Sequence, residues 1–186
     1  MSENSKPEYR ENPDPQQKHR LTMRIDNAPG QFDWIHGTMQ FNVENTECLP
    51  PPKENPGGHT SPVPVRMIPF ELERQPDGEY TAAVFTDGMI DEDYYDRGVC
   101  RWKLLNVQVQ LKATGAEEET LFMADLFQDE LMAGQAKTLY YWKNRYPRED
   151  GFDSFPASGQ GDLSQVPADK QEEFFSISLT AKEATP

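Results

Sequence analysis

What this chain lacks narrows it first. No stretch approaches the roughly 18 consecutive apolar residues that a membrane-spanning helix needs, and no signal-peptide pattern opens it. Cations are scarce, with 18 Lys and Arg against 32 Asp and Glu and a formal net charge of −14. That balance speaks against nucleic acid as a partner, because neutralising phosphates needs clustered Lys and Arg. A surface of this sign is soluble and steers basic partners toward itself. Histidine is rarer still: His19, His36 and His59 are scattered, and neither G-x-S-x-G nor H-E-x-x-H occurs. No catalytic residue, metal ligand or cofactor is therefore assigned, and the chain is expected not to be an enzyme. Paired carboxylates are the one arrangement that spacing cannot address, since so many acids can meet in space.

Cysteine is limited to Cys48 and Cys100, without the C-x-x-C spacing of a zinc or thioredoxin site. Two readings stand: a disulfide, which would contribute about 4 kcal/mol in the chain-entropy view and indicate an oxidising compartment, or two buried thiols. Apolar content is only 35%, which fits polar ends around a modest core.

Turn formers are abundant, with 16 Pro and 12 Gly beside 11% aromatics, and this favours short strands over long helices. Residues 1–18 are polar and rich in proline and acid, so a disordered tether is expected there, ahead of a single domain over 19–186. Leu21, Met23 and Ile25 alternate, as do Ile35, Gly37, Met39, Phe41 and Val43. With Asn27–Gly30 as a turn, these predict an opening antiparallel hairpin. The proline-rich stretch between Cys48 and Pro64 reads as a long exposed loop without regular structure. Pro69 within Val65–Arg74 marks an edge strand or a bulge, and the turn Gln75–Gly78 sends Glu79–Thr86 back as a hairpin.

In Val99–Lys112 the apolar residues switch faces midway, which predicts a bulge near Leu104 and Leu105. Thr114–Glu119 is a charged turn and Thr120–Met123 a short strand. Asp125–Met132 is the best helical candidate, Lys137–Tyr146 an aromatic strand, Gly151–Ala168 loop, and Glu173–Lys182 a last strand with Phe175, Ile177 and Leu179 inward. The predicted fold is mainly β: an antiparallel β-sandwich of about eight short strands with one or two short helices.

One stretch concentrates chemistry. Asp87–Trp102 holds Asp87, Asp91, Glu92, Asp93 and Asp96, the pair Tyr94 and Tyr95, then Cys100 and Trp102. Calcium would want several oxygen ligands, but the central glycine and closing glutamate of an EF-hand are missing, which leaves only a site of another type. A solvated acidic loop is the bland alternative. The preferred reading makes Asp91, Glu92, Asp93, Tyr94, Tyr95 and Asp96 a partner-binding patch, with the tyrosines as anchors inside an acidic rim.

Three segments carry a family resemblance: D-E-D-Y-Y-D-R-G-V-C-R-W, T-L-Y-Y-W-K-N-R-Y and F-F-S-I-S-L-T-A-K-E. From His19 onward the chain resembles small lipoproteins of Xanthomonas-like and related Gram-negative bacteria that are encoded beside antibacterial effectors of type IV or type VI secretion systems. The resemblance implies a periplasmic immunity protein, anchored to the outer membrane by lipid, that binds and inhibits a cognate toxin with a basic or cationic site. The family's lipobox cysteine is not in this sequence, so the resemblance places a signal peptide and anchor ahead of Met1. The alternative is an envelope accessory β-sandwich that binds calcium or carbohydrate.

Overall fold

The computed structural model describes residues 7–51, 53–55, 58–60, 63–149 and 156–186. In chain order the elements are β1 (Lys18–Asp26), β2 (Trp34–Val43), β3 (Lys53–Asn55), β4 (Gly58–Thr60), β5 (Val65–Phe70), β6 (Glu73–Arg74), β7 (Tyr80–Phe85), β8 (Trp102–Lys112), β9 (Phe122–Phe127), α1 (Gln128–Ala133), β10 (Lys137–Trp142) and β11 (Phe174–Glu183). Nine of the strands form two antiparallel sheets, ordered β10-β11-β1-β7-β6 and β5-β2-β8-β9. Alternation supplies the core between them. Leu21, Met23, Phe175, Ile177 and Leu179 face inward from the first sheet, and Phe41, Val107, Val109, Leu111 and Leu126 from the second. The expected mainly β, antiparallel sandwich is the observed architecture.

The bulge is also present. Gln40 pairs with Asn106 while Phe41 pairs with Leu104, which leaves Leu105 without a partner on β2. The extra residue reverses the parity of β8, so Trp102 and Leu104 join Val107, Val109 and Leu111 on the buried side. Pro69 lies on β5, an edge strand of its sheet, where a missing N–H costs no ladder bond. The Gln75–Gly78 turn closes the β6–β7 hairpin through Gln75 N–H to Glu79 O (2.7 Å), with Gly78 at φ +90°.

Several expectations change. β1 and β2 do not form a hairpin: β1 pairs with β11 and β7, and β2 with β5 and β8. The connection buries Phe32 edge-on against Phe122 and Tyr146, so it crosses between layers instead of turning within one. Val65–Arg74 is likewise divided, with β5 in one sheet and β6 in the other. Strand β9 runs on to Phe127, because Phe122, Ala124 and Leu126 keep alternating into the core, and the helix begins only at Gln128. The last residues of the aromatic strand, Lys143–Arg145, form a 3-10 turn. The proline-rich stretch after Cys48 contains the two-stranded ribbon β3–β4 where loop was expected.

The tether is the largest correction. Residues 7–17 lie along the body, with a bridge between Glu11 and Met89. Ile90 N–H donates to Arg10 O (2.9 Å), Asn12 N–H to Gly88 O (2.8 Å) and Thr86 N–H to Gln17 O (3.1 Å). Backbone pairing of this kind needs no apolar side chains, which is why composition misses it.

Candidate partner-binding site: the acidic loop and the segment that holds it

Between β7 and β8 the chain makes the loop that carries the candidate residues, and its base is covalently fixed. Cys48 and Cys100 are disulfide-bonded, with Cα atoms 5.3 Å apart and both residues buried. Beside them Asn45 clamps the entry to β8: its side-chain amide donates to Val99 O (2.8 Å) and its carbonyl accepts from Arg101 N–H (2.7 Å). Glu92 O accepts from Cys100 N–H (2.9 Å), so the loop closes on itself as a short antiparallel bridge.

The acids divide into two kinds. Asp87 accepts the N–H groups of Gln16 and Gln17 at 2.8 and 3.0 Å, and Asp91 accepts that of Trp102 at 2.8 Å. Those carboxylates hold backbone. Asp93 accepts Arg97 N–H within the loop (3.0 Å), and Glu92 forms an exposed ion pair with Arg10 (3.2 Å). Asp96 sits at φ +57°, a left-handed conformation that Asp tolerates better than most side chains. It has no hydrogen-bond partner among the described residues. Asp91, Asp93 and Asp96 are all exposed, but Asp91 is tied to the start of β8 and Asp93 only to its own loop, while half-buried Glu92 is partly neutralised by Arg10.

Tyr94 and Tyr95 face the other way. The Tyr94 hydroxyl donates to Ile90 O (2.6 Å) and accepts from Arg10 N–H (3.3 Å), while the Tyr95 hydroxyl bonds that of Tyr9. Tyr9 completes an aromatic cluster, edge-on to Tyr94 at 5.3 Å and to Trp102 at 5.2 Å between centroids. Burial, and then the bond to Tyr95, push the Tyr9 phenol well above the ordinary tyrosine range, so it stays protonated. Such edge-to-face contacts contribute about 0.5–1.5 kcal/mol each beyond area burial. Both tyrosines of the predicted patch are half-buried and serve the loop's own packing.

The arrangement can present outward carboxylates on a backbone braced by the disulfide, by Asn45, by Asp91 on Trp102 and by the Tyr9 cluster. It brings the six predicted residues together on one loop but separates their roles: Asp93 and Asp96 point out, Asp91, Tyr94 and Tyr95 brace, and Glu92 does some of each. Sequence reasoning missed Tyr9, Arg10 and Asn45, which lie far along the chain from the loop they hold. It also missed Glu119, a buried carboxylate in the Thr114–Glu119 turn. That group accepts from Thr114 N–H (2.8 Å), Thr114 hydroxyl (2.7 Å), Gly115 N–H (2.8 Å) and Ala116 N–H (3.1 Å). Burial opposes its charge, yet these bonds outweigh burial and hold the carboxyl below the usual range.

Among the described residues no three His, Cys, Asp or Glu side chains converge as metal ligands. His19 is buried on β1 with Nδ1 unpartnered, and His36 stacks on Trp34 at the far end of β2. No helix among them is long and apolar enough to cross a membrane. No protein family, no curated protein and no solved structure matches this chain.

Proposed function

We propose that this chain is a non-catalytic periplasmic immunity protein, lipid-anchored to the envelope, that binds and blocks a cognate antibacterial effector through the outward side of the Asp87–Trp102 loop. The observation that carries the reading is the bracing of that loop. Exposed Asp93 and Asp96 stand on a backbone fixed by the Cys48–Cys100 bridge, by Asp91 on Trp102 and by the Tyr9 cluster. A rigid loop loses little conformational freedom on docking, and preorganisation of this kind converts directly into affinity. Two forward acids on an anionic molecule suit a cationic cleft and would raise the rate of encounter. A disulfide closing a long loop is in keeping with an oxidising compartment.

The test is co-expression of the chain with each effector encoded beside its gene, scoring growth rescue and co-purification. Rescue by one effector's pairing, with a complex recovered, is the expected result. Absence of both for every neighbour would refute the proposal.

A further inference from the structure

The two layers of the sandwich are sealed at one end and parted at the other. His19 on β1, Val84 on β7 and Val43 on β2 are at most 4% exposed. At the far ends of the same strands, Ile25, Tyr80 and Ile35 alternate toward the same inter-sheet space, yet they are only half-buried. Between them opens a cleft of about 590 Å³, walled by Ile25, Ala28, Phe32, Ile35, Leu72 and Tyr80. Small-molecule sites have this size, and they favour apolar walls and the mouths of closed β-structures. The cleft lies at the opposite end of β7 from the Asp87–Trp102 loop, so it is separate from the surface assigned to an effector.

Charge singles out the cleft further. By the register, three cationic side chains stand on the inward side of their strands: Arg66 opposite Phe41, Lys137 opposite Leu179 and Arg74 opposite Tyr80. Arg66 pairs with Glu11 at 3.2 Å, and Lys137 with Asp125 and Glu130 at 3.1 and 2.9 Å. Arg74 lines the cleft and has no ion-pair or hydrogen-bond partner among the described residues. Asp33 lines it too, without pairing with Arg74.

We infer that this cleft binds a small amphipathic carboxylic acid, with its carboxylate on Arg74 and its apolar body against Ile25, Ile35 and Leu72. A planar guanidinium takes a carboxylate through two parallel N–H bonds, which fixes the head of the ligand. The apolar walls then remove its chain from water. Asp33 restricts the guest to a single negative charge, because a second anionic group in the same cleft meets a like charge. A neutral chain of equal length gives Arg74 nothing to bind.

Calorimetric titration of the full chain with octanoate tests this, at about 150 mM NaCl so that acids outside the cleft are screened. One saturable site of sub-millimolar affinity is expected, with octanol and the dicarboxylate suberate at least about tenfold weaker. Arg74→Gln should weaken octanoate about tenfold or more, since charge-assisted bonds are lost. Arg20→Gln, on the outer face of the same sheet, should leave binding unchanged. Both arginines are exposed, so both variants are expected to fold, and the wild type carries a check that needs neither. Methyl resonances of Ile25, Ile35 and Leu72 should shift with octanoate, and those of Leu105, exposed in a different groove, should not. No saturable binding, or equal affinity for octanol, would overturn the inference. So would an undiminished affinity in folded Arg74→Gln, or shifts at Leu105 as large as those in the cleft.

Discussion

Two acidic stretches that look alike in sequence use their charge in opposite ways. In Thr114–Glu119 a single carboxylate is buried, and three backbone N–H groups and a hydroxyl of its own turn converge on it. In Asp87–Trp102 the stability comes from a disulfide, an aromatic cluster and Asp91, while Asp93 and Asp96 are left facing solvent. An acid's neighbours along the chain therefore do not say whether it holds the fold or is free to meet a partner. The convergence of donors says so.

The comparison can be broken by substitution, and the effects should fall in a definite order. The largest belongs to the covalent base of the loop. Cys48→Ser with Cys100→Ser should lower stability by about 2–5 kcal/mol, read by urea unfolding, because the unfolded chain regains the freedom of a long loop. Next comes Glu119→Ala at about 1.5–3 kcal/mol, since three amides and a hydroxyl of its own turn lose a charged acceptor. The pH dependence has a fixed sign. The folded carboxyl lies below its unfolded value near about 4.3, so this contribution is complete above that pH and disappears as pH falls through the folded value. A urea midpoint that the substitution left unchanged from pH 7 downward would show that Glu119 is a surface acid after all.

Tyr9→Ala should cost less, about 1–2 kcal/mol, because Tyr9 is half-buried. Its sharper effect is local. The Ile90 amide, which donates to Arg10 O, should exchange with deuterium much faster once residues 7–17 lose their anchor. Asp91→Ala should cost about 1 kcal/mol, by leaving Trp102 N–H without its acceptor. Asp96→Asn, which removes the charge and still tolerates the left-handed backbone, should stay within about 0.5 kcal/mol of wild type. Equal costs for Asp91 and Asp96 in the same melts would erase the division of the loop into bracing and outward acids.

The strands were legible because alternation is a local property, and the switch of parity in Val99–Lys112 even put a bulge near Leu104 and Leu105, where the register has it at Leu105. Which sheet each strand joins was not legible. Alternation gives a strand its buried face and says nothing of its neighbour, so β1 and β2 read as a hairpin although they belong to facing layers. The docking of residues 7–17 was hidden because it rests on backbone bonds, one tyrosine and polar side-chain contacts such as Asp87 to Gln16 and Gln17, none of which leaves an apolar pattern in the sequence. For the candidate site, sequence found the loop and its acids but set Tyr94 and Tyr95 outward. Their partner, Tyr9, lies 85 and 86 positions away, and nothing local announces it.

The claim that the outward acids meet a cationic partner is tested most directly by titrating the purified cognate effector against wild type and Asp93→Asn/Asp96→Asn by calorimetry, since Asn removes each charge while still accepting Arg97 N–H and tolerating the left-handed backbone at 96. With unchanged thermal stability, the double variant should bind at least about tenfold more weakly, and the wild-type association rate should fall as salt is raised. Equal affinity for the two folded proteins would contradict the account and move the interface off this loop.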